Sequence, residues 1–128
     1  MNITAYGIIC DDIRREDNGK LLVIGAYDGG FVPGSIPSQF PLSLWLTLYG
    51  IGVGKHKFKL EVKFPEGSRF ETDGELDVLD DVTPASMFFV GFPAAISSVG
   101  EIVGTVWIDE SEIQFIKVPV FQPERGRS

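Results

Sequence analysis

Residues 55–79, KHKFKLEVKFPEGSRFETDGELDVL, alternate so regularly that a pleated ribbon is the one regular structure that sorts them. In the first arm His56, Phe58, Leu60, Val62 and Phe64 share a side, and Lys55, Lys57, Lys59, Glu61 and Lys63 share the other. In the second, Phe70, Thr72, Leu76 and Val78 alternate with Glu71, Asp73, Glu75 and Asp77. The pattern predicts a hairpin with one buried and one wetted face. Directly opposed residues share a face, so the connecting loop holds an odd number of residues. A five-residue loop, 65–69, sets Lys63 against Glu71, Lys59 against Glu75 and Lys57 against Asp77, and leaves Glu61 opposite Asp73. A three-residue loop, 65–67, sets Glu61 against Glu71 and Lys63 against Arg69. Opposed unlike charges help by about 0.2–1 kcal/mol and like charges hurt, so the longer loop is expected. Asp73-Gly74, inside the alternation, reads as a bulge.

The same period runs through the chain. It predicts eight strands, at about 3–10, 20–27, 42–50, 55–64, 69–79, 86–92, 101–109 and 112–121. No stretch keeps a helical period over three turns, although a helical turn fits at 80–86 or 93–99. Fifteen glycines and eight prolines punctuate the strands. The expected fold is all-β, an antiparallel β-sandwich of about eight strands, immunoglobulin-like or C2-like. At 128 residues it is a single domain over 1–122, with 123–128 as a frayed tail. In the closing hairpin a turn at Glu110-Ser111 pairs Ile108 with Ile113 and Val106 with Phe115 on the buried face. That leaves Trp107, Val103, Ile116 and Val118 on the other face. A hairpin apolar on both sides is central, or is covered by another chain.

Charge narrows the partners. Eleven Lys and Arg against 18 Asp and Glu give a net charge of −7, which repels phosphate backbones and anionic membranes. The single cysteine, Cys10, excludes an internal disulfide and a Cys-based zinc cluster. The N-terminus lacks a basic leader, and no apolar run reaches the roughly 20 residues of a membrane helix, so a cytoplasmic protein is expected.

If every strand reverses its predecessor, the loops separate into two ends. One end gathers Asp11, Asp12, Glu16 and Asp17, the glycines of 50–54, Asp80 and Asp81, then Asp109, Glu110 and Glu112. The other gathers the apolar, proline-rich loops 29–41, 65–69 and 92–100. An acidic end suits Ca²⁺, with Asp11, Asp12, Asp80, Asp81 and Asp109 as candidate ligands, although loop tips are also where acids belong. An apolar end suits a protein partner or a second copy, with Phe31, Val32, Ile36 and Phe40 as candidates and the Trp107 face of the closing hairpin as an added surface. The plainer reading of 29–41 is a crossover between the two sheets that tucks its apolar side chains into the core edge.

Catalytic chemistry finds little support. His56 is the only histidine, so any triad must use it, and its parity turns it inward. Cys10 adjoins Asp11 and Asp12, whose charges raise a thiol pKa and disfavour the nucleophilic thiolate. Phosphate-loop, zincin and dinucleotide motifs do not occur. The expectation is therefore a non-catalytic binding or assembly module without a cofactor, with a Ca²⁺-binding sandwich as the alternative.

The run from Cys10 to Tyr27, CDDIRREDNGKLLVIGAY, resembles the opening of an uncharacterised family of small bacterial proteins, C-D-x-x-R-x-E followed by a Gly-Lys step and a strand ending I-G-x-Y. FPLSLWLTLYGIGVGKHKFKLEV and GEIVGTVWIDESEIQFIKVPV are similar to its later strands, with Ser111 in place of the usual turn glycine. The resemblance implies a β-sandwich and assigns neither activity nor site residues.

Overall fold

The computed structural model describes residues 2–27 and 29–122; the predicted tail, 123–128, lies outside them. Among the described residues eight strands succeed one another: β1 (Thr4–Arg15), β2 (Leu21–Ala26), β3 (Ser38–Tyr49), β4 (Gly54–Lys63), β5 (Arg69–Val78), β6 (Ala85–Ile96), β7 (Gly100–Ile108) and β8 (Ser111–Val120). The expected helical turns at 80–86 and 93–99 are absent, because β6 takes up residues 85–96. A 3-10 turn sits instead at Pro65–Gly67.

Two four-stranded antiparallel sheets face each other, ordered β2-β1-β3-β6 and β5-β4-β7-β8. With β2 set aside, the order is that of an immunoglobulin-type sandwich, A-B-E against C′-C-F-G. β2 is an addition to the free edge of the first strand. β1 divides its length between two neighbours: Thr4–Cys10 pair with β3, and Cys10–Arg15 pair with β2. The core lies between the sheets. Leu42, Leu44, Leu46 and Leu48 alternate along β3 onto Leu60, Val62, Ile102, Val106 and Ile108, all buried. Burying each such side chain is worth about 1.5–3 kcal/mol.

Three expectations change. The β4–β5 hairpin takes the shorter register, with Lys63 opposite Arg69 and Glu61 opposite Glu71. Arg69 makes that register tenable. Its Nη1 lies 3.4 Å from Glu61 and its Nε 3.1 Å from Glu71, so one guanidinium answers both carboxylates. Within the hairpin Gly74 faces Phe58, and a Cβ there would fall 2.9 Å from the ring. The register runs unbroken through Gly74, so it is a seat for that ring and not a bulge.

The closing hairpin turns at Asp109-Glu110, pairing Ile108 with Ser111 and Val106 with Ile113. A bulge then leaves Phe115 unpaired opposite the Gly104–Thr105 step. The extra residue reverses the parity of the remainder of β8. Ile116 packs against the core and Val118 is buried in it, where the sequence pattern puts both outside.

The third change concerns direction. β2 and β3 both run antiparallel to β1, so the 27–37 connection joins two strands of one sheet that point the same way. It is not a crossover between sheets. The turn carrying Glu16 and Asp17 therefore lies at the pole of loops 64–68 and 97–99, opposite the pole of 50–53, 79–84 and 109–110. Asp12 faces Ile24, whereas the loop of Asp80 and Asp81 enters β6 at Ala85, level with Leu48 and Ala5. Seven residues of β1 separate the two levels, about 23 Å at about 3.3 Å per residue. The five proposed calcium ligands do not converge, and the supposed acidic end is divided.

Candidate interaction surface

The 27–37 connection is anchored at Phe31. Its N–H donates to the Pro119 carbonyl at 2.8 Å, and its own carbonyl accepts the Phe121 N–H at 2.9 Å. Its ring lies 4.7 Å from Tyr27 and stacks on Phe40 at 5.1 Å. Phe31 is 5% exposed and belongs to the core; Ile36 and Phe40 are half-buried against it. Of the loop residues expected to meet a partner, Val32 is the exposed one, at 53%. It borders an open groove of about 540 Å³ lined by Asp11, Tyr27, Phe31 and Phe40 among others. The Tyr27 hydroxyl donates to Asp11 across that groove. Burial first, and then that bond, push the Tyr27 pKa up to about 12, so the phenol stays protonated. Trp107 lies far from this group, half-buried on the outside of the other sheet, with the Lys59 ammonium 5.3 Å from its ring.

A broader apolar surface lies on the outer face of the β2-β1-β3-β6 sheet. Where β3 turns its leucines inward, it turns Trp45, Thr47 and Tyr49 outward; Ser43, of the same parity, is buried at the β3–β6 irregularity and accepts the Gly91 N–H. Ile8, Trp45 and Phe88 form one row across β1, β3 and β6. The Trp45 and Phe88 rings are 5.9 Å apart, and Tyr6 meets Tyr49 edge-on at 5.9 Å. Tyr6 is 61% exposed and Val90 58%, and Ile8 and Tyr49 are also open to solvent. The Arg15 guanidinium lies 5.9 Å from the Phe88 ring, so the β1–β2 hairpin bends back over part of this face. Cys10 and Ile13 are buried without joining the inter-sheet core. The outer face of the other sheet is the reverse case: Lys55, Lys57 and Lys59 stand opposite Asp77, Glu75 and Asp73.

Residues 5–121 match the family of unknown function DUF6941. The chain belongs to this family. No curated protein matches it. Membership agrees with the expectation of an uncharacterised family and leaves activity to the geometry.

That geometry occupies the reactive side chains elsewhere. His56 Nδ1 lies 2.8 Å from Asp109 Oδ2, and Nε2 lies 2.6 Å from the Gly52 carbonyl. Asp109 Oδ1 also accepts the Lys57 N–H. Both ring nitrogens are thus spent on pinning the 109–110 turn and the 50–53 loop to β4. The Asp109 bond, and after it the Gly52 bond, raises the His56 pKa above its ordinary value. Cys10 is buried, and burial ahead of the Asp11 and Asp12 charges pushes its pKa up to about 11. Asp12 pairs with Arg14 at 2.8 Å, and Asp80 accepts the Val82 and Thr83 N–H groups to shape its own turn. Among the described residues no three His, Cys, Asp or Glu side chains are grouped to hold a metal, and no helix is long and apolar enough to cross a membrane.

Proposed function

We propose that this protein is a non-catalytic binding or assembly module that engages a protein partner, or itself, through the outer face of the β2-β1-β3-β6 sheet. One observation carries the reading: the two outer faces of the sandwich differ in kind. One is striped with matched charges, as a solvated antiparallel sheet is. The other presents Tyr6, Ile8, Tyr49 and Val90 around the Trp45–Phe88 pair. Exposed aromatic residues grouped on one face are the composition of an interface core. The engagement of His56, the burial of Cys10 and the separation of the acids support binding over catalysis and over the calcium alternative. A cytoplasmic setting accords with one unpaired, buried cysteine.

A photoreactive phenylalanine analogue tests this in cells of the source organism. Placed at Tyr49, it yields a discrete cross-linked protein adduct; placed at Thr105, on the charged outer face, it yields none. Equal labelling from both positions, or none from Tyr49, sinks the reading.

A further inference from the structure

The sandwich has four edge strands, β2, β6, β5 and β8. An exposed edge is a template for a further strand, and proteins blunt such edges with charges, prolines and bulges. Three of these edges are blunted. β5 carries Arg69, Glu71, Asp73, Glu75 and Asp77. β6 contains Pro93 and an irregular register opposite Leu42 and Leu44. β8 contains Lys117, Pro119 and the Phe115 bulge, and its end is bridged by Phe31. β2, with the sequence LLVIGA, has no charge, no proline and no register shift in its pairing with β1, and its one irregular residue, Gly25 at φ 68°, lies near its far end. Its Leu22 and Ile24 side chains are exposed, at 44% and 39%.

We infer that β2 pairs with β2 of a second copy, antiparallel across a two-fold axis through Val23, joining two sheets into one of eight strands. This contact lies at the free edge of the sheet, apart from its outer face, and goes beyond the function proposed above. The backbone sets the register. The Glu16 N–H and the Lys20 carbonyl bond at 2.8 Å, and the ladder continues unshifted from Arg15–Leu21 to Asp12–Ile24. Alternation then directs the backbone groups of Leu22 and Ile24 to β1 and those of Leu21 and Val23 to the open edge. An axis on Val23 lets the two valines exchange both N–H···O=C bonds. It sets Leu22 of each copy against Ile24 of the other, in the closer kind of antiparallel pair. The exposed side chains thereby cover one another. The occupant is a second copy because β2 offers a charged strand no counter-charge, while it matches itself with no like charges opposed. The isologous geometry is that of the commonest oligomer.

Light scattering on the full chain tests the pairing. The wild type should give twice the 14.1 kDa chain mass, and L22K/I24K should give that mass with an unchanged circular dichroism spectrum. V23C adds a check that survives a poorly folded lysine variant: under oxidant it should form a reducible dimer, and D77C, on the β5 edge, should not. A monomeric wild type, a dimer persisting in folded L22K/I24K, or equal cross-linking from V23C and D77C overturns the inference. The Tyr49 cross-linking result is independent of all three. An adduct with another protein there alongside a monomeric wild type sinks the β2 pairing and leaves the binding reading standing.

Discussion

Replacing Gly104 by alanine probes the bulge that turns the end of β8 into the core. A Cβ at that position would fall 2.5 Å from Ile116 Cγ2 and 2.6 and 2.8 Å from two Phe115 ring atoms. Carbon atoms rest about 3.5–4.0 Å apart, so β8 must give way by about 1 Å. The ring has little room to retreat. Gly7 on β1 lies under the same Phe115, and a Cβ there would run into that ring as well. Overpacking of this kind costs about 1–3 kcal/mol. Urea unfolding of G104A should show a lowered midpoint with an unchanged slope, as stability falls without a change in exposed surface. Combining G104A with F115L removes the ring edge that the new methyl meets. The pair should show a favourable coupling of about 0.5–3 kcal/mol, as contacting residues do. A G104A cost below about 0.5 kcal/mol, the range of neutral surface changes, refutes the reasoning. So does a double mutant whose effects simply add.

The polar contacts set further outcomes. The bond to Asp109 is the leading cause of the raised His56 pKa, and the bond to His56 is the leading cause of the lowered Asp109 pKa. A raised His pKa adds stability that is complete below its unfolded value and lost as pH climbs through the folded one; a lowered Asp pKa adds stability complete above its unfolded value and lost as pH falls. The urea-midpoint gap between wild type and H56Q should therefore be widest between pH 3.8 and 6.5 and narrow on both sides; a gap independent of pH contradicts the pairing. Cys10, buried with its pKa near 11, should react with Ellman's reagent at neutral pH only as fast as the chain unfolds, and prompt labelling of native protein counts against that burial. Millimolar Ca²⁺ should leave the melting midpoint where it is, because the acids at the two poles share no site; an upward shift would expose a binding site at odds with this geometry.

The eight strands are legible in the sequence because alternation survives even where boundaries drift. Parity tells inside from outside correctly along β4 and β7. It fails at β8, where the bulge depends on Gly7 and Gly104 making space from two other strands, which no local pattern records. The β4–β5 register escapes a count of opposed pairs because Arg69 acts diagonally on Glu61 and Glu71. The poles escape simple alternation because β1 pairs along two halves of its length, letting β2 and β3 point the same way. Phe31 and Val32 adjoin in sequence, yet one is core and the other surface, since Phe31 is held by the β8 backbone. The aromatic outer face does have a signal: Ser43, Trp45, Thr47 and Tyr49 occupy the alternate positions of a leucine strand.

β1 starts at one pole, beside the end of β3, and β8 finishes at the other, beside the start of β7. Tension applied through residues flanking the sandwich would drag β1 lengthwise past β3 and β8 lengthwise past β7. The rungs from Thr4–Tyr49 to Cys10–Ser43 would then strain together, where a peeled hairpin opens them singly. Mechanically the domain is clamped in shear at both ends.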